Sequence, residues 1–257
     1  MTLRVMTWNV RTGGGDRLPA IIEVVRAARP DILALQELRD FHRYDQSRMR
    51  SFAGAVEMVP HLARSVLGQP VAVLVRAPLR ILRTASVTWR LHHAAAVVDV
   101  ATGSGPVRVV STHLNPFWPY RRMREARWLA ARYFSDRALM MGDMNGLDPH
   151  GDHTEVLAAL PSLYRRRHLG PDGKADTGAL EAFATAGFTD LWRAVGEGPG
   201  ETVPTTGLRG PEFGSTRLDY VLAGPALARR ARTMRVIRGG SAEHASDHYP
   251  VVAELEA

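Results

Sequence analysis

Apolar residues along this chain keep two rhythms, strand alternation and helical spacing, and the order in which they alternate outlines the fold. Residues 3–10 open as a strand and run into the turn Gly13-Gly14-Gly15. Ile21, Ile22, Val24, Val25 and Ala28 then recur at helical spacing, with Asp16 expected as cap, Pro19 in the first turn and Pro30 as the stop. The run 31–35 is a buried strand ending on Gln36-Glu37. Between 71 and 114 the pattern predicts strand after strand, over 71–75, 80–91, 95–100 and 107–114, punctuated by Pro78 and Gly103-Ser104-Gly105-Pro106. Residues 121–136 return to helical spacing, with Met123, Ala126, Leu129, Ala130 and Tyr133 as the expected buried stripe.

Ala138-Leu139-Met140-Met141 is another buried strand, and it ends on G-D-M-N-G. Beyond it, 147–178 reads as an irregular excursion with a short helix near 154–160. A helix over 178–186 closes at Gly187, and a loop rich in Gly, Pro and Thr covers 196–214. Strands over 217–222, 232–238 and 249–255 complete the chain. No linker or repeat divides it, so the expectation is a single α/β domain over 1–257, with two packed sheets flanked by helices.

Composition narrows the chemistry. The 257 residues are 45% hydrophobic and 23% charged, ordinary for a globular chain with a sizeable core. Without cysteine there are no disulfides or thiolate metal sites, and any metal must use oxygen and imidazole ligands. The formal charge of +7 favours an anionic partner. Lys174 is the one lysine among 33 basic residues, and such arginine usage fits a coding bias as well as a binding surface. No leader and no apolar run near 18 residues is visible, so a cytoplasmic protein without a membrane span is expected.

Polar residues at the ends of apolar strands carry the candidate chemistry. Asp143 and Asn145 stand two apart in M-G-D-M-N-G, which is also good turn chemistry. Asn9, Glu37, His113, Asp219 and the pair Asp247-His248 occupy comparable positions. Each alone reads equally as a turn residue, a cap or a structural histidine. Asp219 is harder to dismiss, because a carboxylate inside an apolar strand needs a partner. Gathered at one mouth, the carboxylates, amides and imidazoles would form a hard-cation site with a general acid/base beside it. Phosphate-loop, dinucleotide-turn and nucleophile-elbow motifs are missing, and H-x-x-x-H spacing occurs only at His244 and His248.

Six of these segments, in order, resemble the endonuclease/exonuclease/phosphatase superfamily, the DNase I-like phosphoesterases. They are T-W-N-V at 7–10, L-Q-E-L at 35–38, S-T-H-L at 111–114, G-D-M-N-G at 142–146, R-L-D-Y-V-L at 217–222 and S-D-H-Y-P-V at 246–251. The resemblance implies a four-layer α/β sandwich, with two mixed β-sheets face to face between helices. It implies Glu37 as principal metal ligand, supported by Asn9 and Asp247, and Mg2+ as the metal, with Mn2+ or Ca2+ as substitutes. Asp143 would orient and deprotonate the attacking water, with Asn145 holding the water or a phosphate oxygen. His248, oriented by Asp219, would polarise the phosphoryl group, and His113 would be a second phosphate ligand or leaving-group acid.

The substrate is less legible. Abasic-site enzymes of the superfamily carry an acid where Arg11 stands and a tyrosine where His113 stands, and both departures count against that specificity. Asn115 to Arg122 interleaves aromatic and basic residues, which suits base stacking with phosphate contact as well as an ordinary packed loop. Arg11, Asn115, Trp118 and Arg121 are therefore the expected substrate contacts. The run Tyr164 to His168, with three arginines, fits a backbone contact or a solvated helix end. The expectation is a monomeric nuclease or DNA-processing phosphodiesterase. The alternatives are an enzyme acting on a small-molecule or lipid phosphate, and a non-catalytic phosphate-binding protein.

Overall fold

The computed structural model describes residues 2–256. Two six-stranded sheets form the centre of the fold. The first contains β1 (Thr2–Asn9), β2 (Ile32–Gln36), β3 (Met58–Ala63), β4 (Val71–Arg76), β11 (Ala231–Val236) and β12 (Val251–Glu256), in the order β11-β12-β1-β2-β4-β3. The second contains β5 (Arg80–Val87), β6 (Ala95–Ala101), β7 (Val107–His113), β8 (Ala138–Asp143), β9 (Thr189–Asp190) and β10 (Asp219–Ala223), in the order β5-β6-β7-β8-β10-β9. Each sheet is antiparallel except for one central parallel pair, β1 with β2 and β7 with β8. A parallel pair needs a crossover. Helix α1 (Leu18–Ala28) supplies the first and α3 (Pro119–Tyr133) the second.

Strand parity sorts the core into layers. Leu3, Val5, Ile32, Ala34, Val73, Val98, Val109, Leu139, Met141 and Val221 meet between the sheets. Met6, Trp8, Leu33 and Leu35 face outward, against α1 and α2 (Ser47–Ala55). Ala95, Val110 and Met140 face the other way, against α3 and α6 (Gly178–Thr185). Strands buried on both faces explain the uninterrupted apolar runs of the sequence. The result is the expected four-layer sandwich.

The same parity carries polar residues into the space between the sheets. Asn9 lies on the face of Leu3 and Val5, Gln36 on that of Ile32, His113 on that of Val109, Asp143 on that of Met141, and Asp219 on that of Val221. Thr7 and Gln36 exchange hydrogen bonds, and the Gln36 amide donates to Ser111 Oγ at 3.1 Å, joining the two sheets. The inter-sheet layer is thus apolar at depth and polar at one mouth.

Several expectations shift in detail. Asp16 does not cap α1; it lies in a 3-10 turn, Gly15–Arg17, and no side chain caps the helix. The strand expected over 80–91 ends at Val87, and α3 starts early because Pro119 suits a first helical turn. Its buried face includes Arg122 and Glu125, while Met123 and Tyr133 are only half-buried. The excursion holds α4 (Thr154–Ala159) and α5 (Ser162–Arg165). Strand β3 carries Pro60, which is tolerated because β3 is an edge strand with no ladder partner on one side.

Gly142 anchors the end of β8. Its φ of 144° lies where side chains are strained, and a Cβ there would overlap the Thr112 carbonyl oxygen of the neighbouring strand. Gly142→Ala is therefore expected to lower stability by roughly 2–4 kcal/mol. Urea denaturation measures it, and an unchanged midpoint would overturn this account of the strand end.

Candidate active site

Sheet register sets the centre of the site. Asp143 is paired with His113 on one side and with Asp219 on the other. Its Oδ2 accepts from Asn9 Nδ2 at 3.0 Å and lies 3.3 Å from His113 Nε2 and 3.8 Å from His248 Nε2. Its Oδ1 accepts from the Asn145 backbone N–H at 2.9 Å. Asn145 sits at φ 48° and donates from Nδ2 to the Leu114 carbonyl. The hexapeptide is therefore both a turn and part of the pocket.

From the opposite sheet comes Glu37, one residue past β2 and held at φ 60°. Asn9 Nδ2 donates to its Oε1 at 3.1 Å, while Thr12 N–H and Gln69 Nε2 donate to Oε2, both at 2.8 Å. Asp247 enters from the loop before β12 and meets Arg11 Nε at 3.3 Å. Its neighbour His248 is fixed twice: Trp8 Nε1 donates to the His248 carbonyl, and Asp219 Oδ2 pairs with His248 Nδ1 at 2.8 Å. Asp219 is fully buried, and its Oδ1 has no hydrogen-bond partner.

These contacts divide the charges. Burial works against a charged His248, but Asp219 and Asp143 outweigh it and push the imidazolium up to about 10. Burial also raises Asp143 and Asp247, against the pull of the nearby cationic groups. Glu37 goes the other way: burial opposes it, yet His113, the Thr12 N–H and the Asn9 amide together hold it below the ordinary carboxylate range. Asp143, Asp219 and His248 offer ligand atoms within 4.8 Å of one another, a buried group that could hold a metal ion.

A pocket of about 280 Å³ opens over these residues, lined by Arg11, Glu37, His113, Asp143, Asn145, Asp247 and His248. Also lining it are Gln69, His93, Phe117, Arg167, His168, Glu212 and Phe213, none of which lies at an apolar strand end. His93 stacks on His113 with centroids 3.9 Å apart and planes 9° from parallel, while its Nδ1 accepts from the Gln69 N–H. Phe213 meets His248 edge-on. The Arg167 guanidinium lies over the rings of Phe117 and Tyr164, which takes part of the three-arginine run to the pocket wall. The charge run gave a signal for Arg167. The remainder needed the fold.

Three expected substrate contacts lie elsewhere. The Asn115 side chain is buried, and its Oδ1 accepts from the Phe117 and Trp118 N–H groups, closing a turn. Trp118 is exposed and outside the pocket, and Arg121 lines a neighbouring one with Asn115. Behind them, fully buried Arg122 pairs with Asp176 at 2.7 Å and donates to the Asn115 and Arg167 carbonyls. It ties two pocket loops to α3.

The chain belongs to the Endonuclease/Exonuclease/phosphatase family, whose model matches residues 6–248. Members of that family are divalent-metal-dependent phosphoester hydrolases. Similar solved structures include an endonuclease/exonuclease/phosphatase from Bacteroides vulgatus, with 16% identity and TM-score 0.73 over 100% of this chain and 99% of that one. An AP endonuclease from Archaeoglobus fulgidus matches with 20% identity and TM-score 0.71, over 99% and 100%. A mannosyl-6-phosphatase from Bacteroides thetaiotaomicron matches with 16% identity and TM-score 0.70, over 99% and 100%. At these identities the likeness is one of fold. No curated protein matches the sequence. Among the described residues, no helix is long and apolar enough to cross a membrane.

Two stability outcomes follow from the pocket wall. Arg122→Leu leaves Asp176 buried without its partner and is expected to cost about 3–5 kcal/mol, read as a fall in the urea midpoint. Burial, with Arg122 and Arg167 nearby, holds His168 down at about 4 against an ordinary 6.5. Between those values the unfolded chain binds a proton that the folded chain refuses. Stability is therefore lost as pH falls from 6.5 towards 4, by up to about 3 kcal/mol. His168→Leu should flatten that part of the stability–pH curve; a variant with the wild-type slope would show that another group sets it.

Proposed function

We propose that this family member is a magnesium-dependent phosphodiesterase acting on nucleic acid, cleaving by in-line attack of water. The observation that carries the catalytic reading is Asp143, set beside His113 by sheet register, 3.8 Å from the His248 that Asp219 holds, and reaching Glu37 through the single amide of Asn9. A general base, two imidazoles and a low-lying carboxylate face one small pocket.

The donor set fits a hard divalent cation. Glu37, Asp143 and Asp247 bring three carboxylates to a pocket with no thiolate, an oxygen-rich donor set of the kind hard divalent cations take. Glu37 and Asp247 are the assigned ligands, with Asn9 supporting Glu37. Asp219 is assigned instead to His248, because one of its oxygens is committed to that imidazole at 2.8 Å. A bound cation would lower the pKa of water and offset charge on the phosphoryl oxygens.

The chain's own groups do the rest. Asp143 accepts the proton of the attacking water, and burial makes it a better base than an exposed aspartate. Asn145 steadies that water or a phosphoryl oxygen. His248, kept cationic by Asp219, donates from Nε2 to a phosphoryl oxygen as charge builds there. His113 protonates the leaving oxygen. Arg11 and Arg167 at the pocket rim, in a chain of net charge +7, favour an anionic polymer. The second reading is a phosphatase for a small phosphoester, favoured by a pocket volume of only about 280 Å³.

Plasmid, single-stranded oligonucleotide and a panel of phosphomonoesters, each with magnesium and with EDTA, separate these readings. Strand cleavage lost in EDTA supports the first, and phosphate release from monoesters alone supports the second. Inactivity on all of them with several metals would sink the enzyme reading. Asp143→Asn and His248→Ala are expected to lower kcat by at least about 10²-fold, the scale for losing one preorganised transition-state contact. Calorimetric titration with Mn2+ should show Glu37→Gln losing metal binding and Asp219→Asn retaining it; the reverse result would move the metal to the Asp143–Asp219–His248 group.

A further inference from the structure

A second pocket, of about 380 Å³, shares a wall with the catalytic one. His92 and Asn115 line it, while their chain neighbours His93, Pro116 and Phe117 line the catalytic pocket. The His92 and Phe117 rings meet edge to face at 5.6 Å, so the partition is about one side chain thick.

One face of α3 forms its floor. Arg121, Arg124, Glu125 and Trp128 recur at helical spacing and all reach it. The opposite wall is the loop between β5 and β6, which contributes Arg90 and Trp89, the latter 84% exposed. Three guanidinium groups face it. Glu125 is the one acid among its described lining residues, and both its oxygens are taken up by the His92 and Asn115 N–H groups. A concave site with two indoles and three arginines that have no carboxylate partner suits a flat aromatic ring carrying phosphate.

We propose that this second pocket is a nucleobase subsite, taking the base beside the scissile phosphate of a single-stranded nucleic acid. Trp89 and Trp128 are its stacking faces, and Arg121 and Arg124 contact the flanking phosphates. The proposal rests on the nucleic-acid reading above and extends it to residues outside the catalytic pocket. It also gives Arg121 a place, one wall away from the position expected for it.

The test is binding without turnover. Fluorescein-labelled oligothymidylate of ten nucleotides is titrated with the full chain in EDTA, and anisotropy gives Kd at several salt concentrations. Trp89→Ala is expected to weaken binding about tenfold, the scale of one lost base stack. The Arg121→Gln/Arg124→Gln double variant should reduce the slope of log K against log salt by about 1.4, from two lost phosphate contacts. Circular dichroism confirms that the variants fold. Wild-type affinity in folded Trp89→Ala overturns the subsite, as does failure of the wild type to bind oligothymidylate. Binding to phosphatidylserine vesicles in place of oligonucleotide also overturns it and reassigns the surface to membrane. Wild-type hydrolysis of bis(p-nitrophenyl) phosphate with magnesium tests the phosphoesterase reading separately. Hydrolysis without oligonucleotide binding removes the subsite alone, and binding without hydrolysis removes the activity alone.

Discussion

A single amide group connects the two halves of the site. Asn9 Nδ2 donates to Glu37 Oε1 and to Asp143 Oδ2, carboxylates carried by opposing sheets. Left without a donor between them, two buried carboxylates would repel, and each would be driven towards its protonated form. The amide sets their spacing, and the Asn9 backbone is itself fixed, because its carbonyl accepts from Ser246 Oγ and its Oδ1 from the Arg11 N–H. The pocket geometry therefore depends on β1 and the loop before β12 holding each other.

Around that contact the electrostatics are sorted by partner rather than by depth. Glu37, Asp143 and Asp247 are all substantially buried, yet Glu37 is lowered while the two aspartates are raised. The difference lies in the donors: Glu37 collects three hydrogen bonds and the influence of His113. His248 is a charged group kept charged, because its fully buried partner Asp219 is reached from the far nitrogen. That arrangement leaves Nε2 to face Asp143 and the pocket.

Helix α3 does a second job beyond bridging β7 and β8. Its apolar stripe packs on the sheet, and its buried polar pair organises loops. Arg122 holds the Asn115 and Arg167 carbonyls, and Glu125 holds the His92 and Asn115 N–H groups. Buried charges of this kind add little net stability but specify geometry when every partner is satisfied. Burial raises the Glu125 carboxyl to about 7 even with those two N–H donors. The catalytic pocket and its neighbour thus share one support.

Parity of two along a strand is a local property, so alternation alone sufficed to place Asn9, His113, Asp143 and Asp219 on strand ends, and the order of short motifs pointed to the family. Local pattern also located both crossover helices and most strands. It was silent on α2 and β3, where Pro60 breaks the usual strand signature and edge position permits it. It also misread α3, since Arg122 and Glu125 look solvent-facing until Asp176 and the loop N–H groups arrive from 54 and up to 33 residues away. Gln69, His93, Glu212 and Phe213 reach the pocket from loops whose paths are set by packing, so no spacing rule marks them. Local sequence was enough to say which chemistry stands at the strand ends. Tertiary structure decided which loops wall the site and that Arg121 faces a second pocket, because those contacts exist only between segments far apart in the chain.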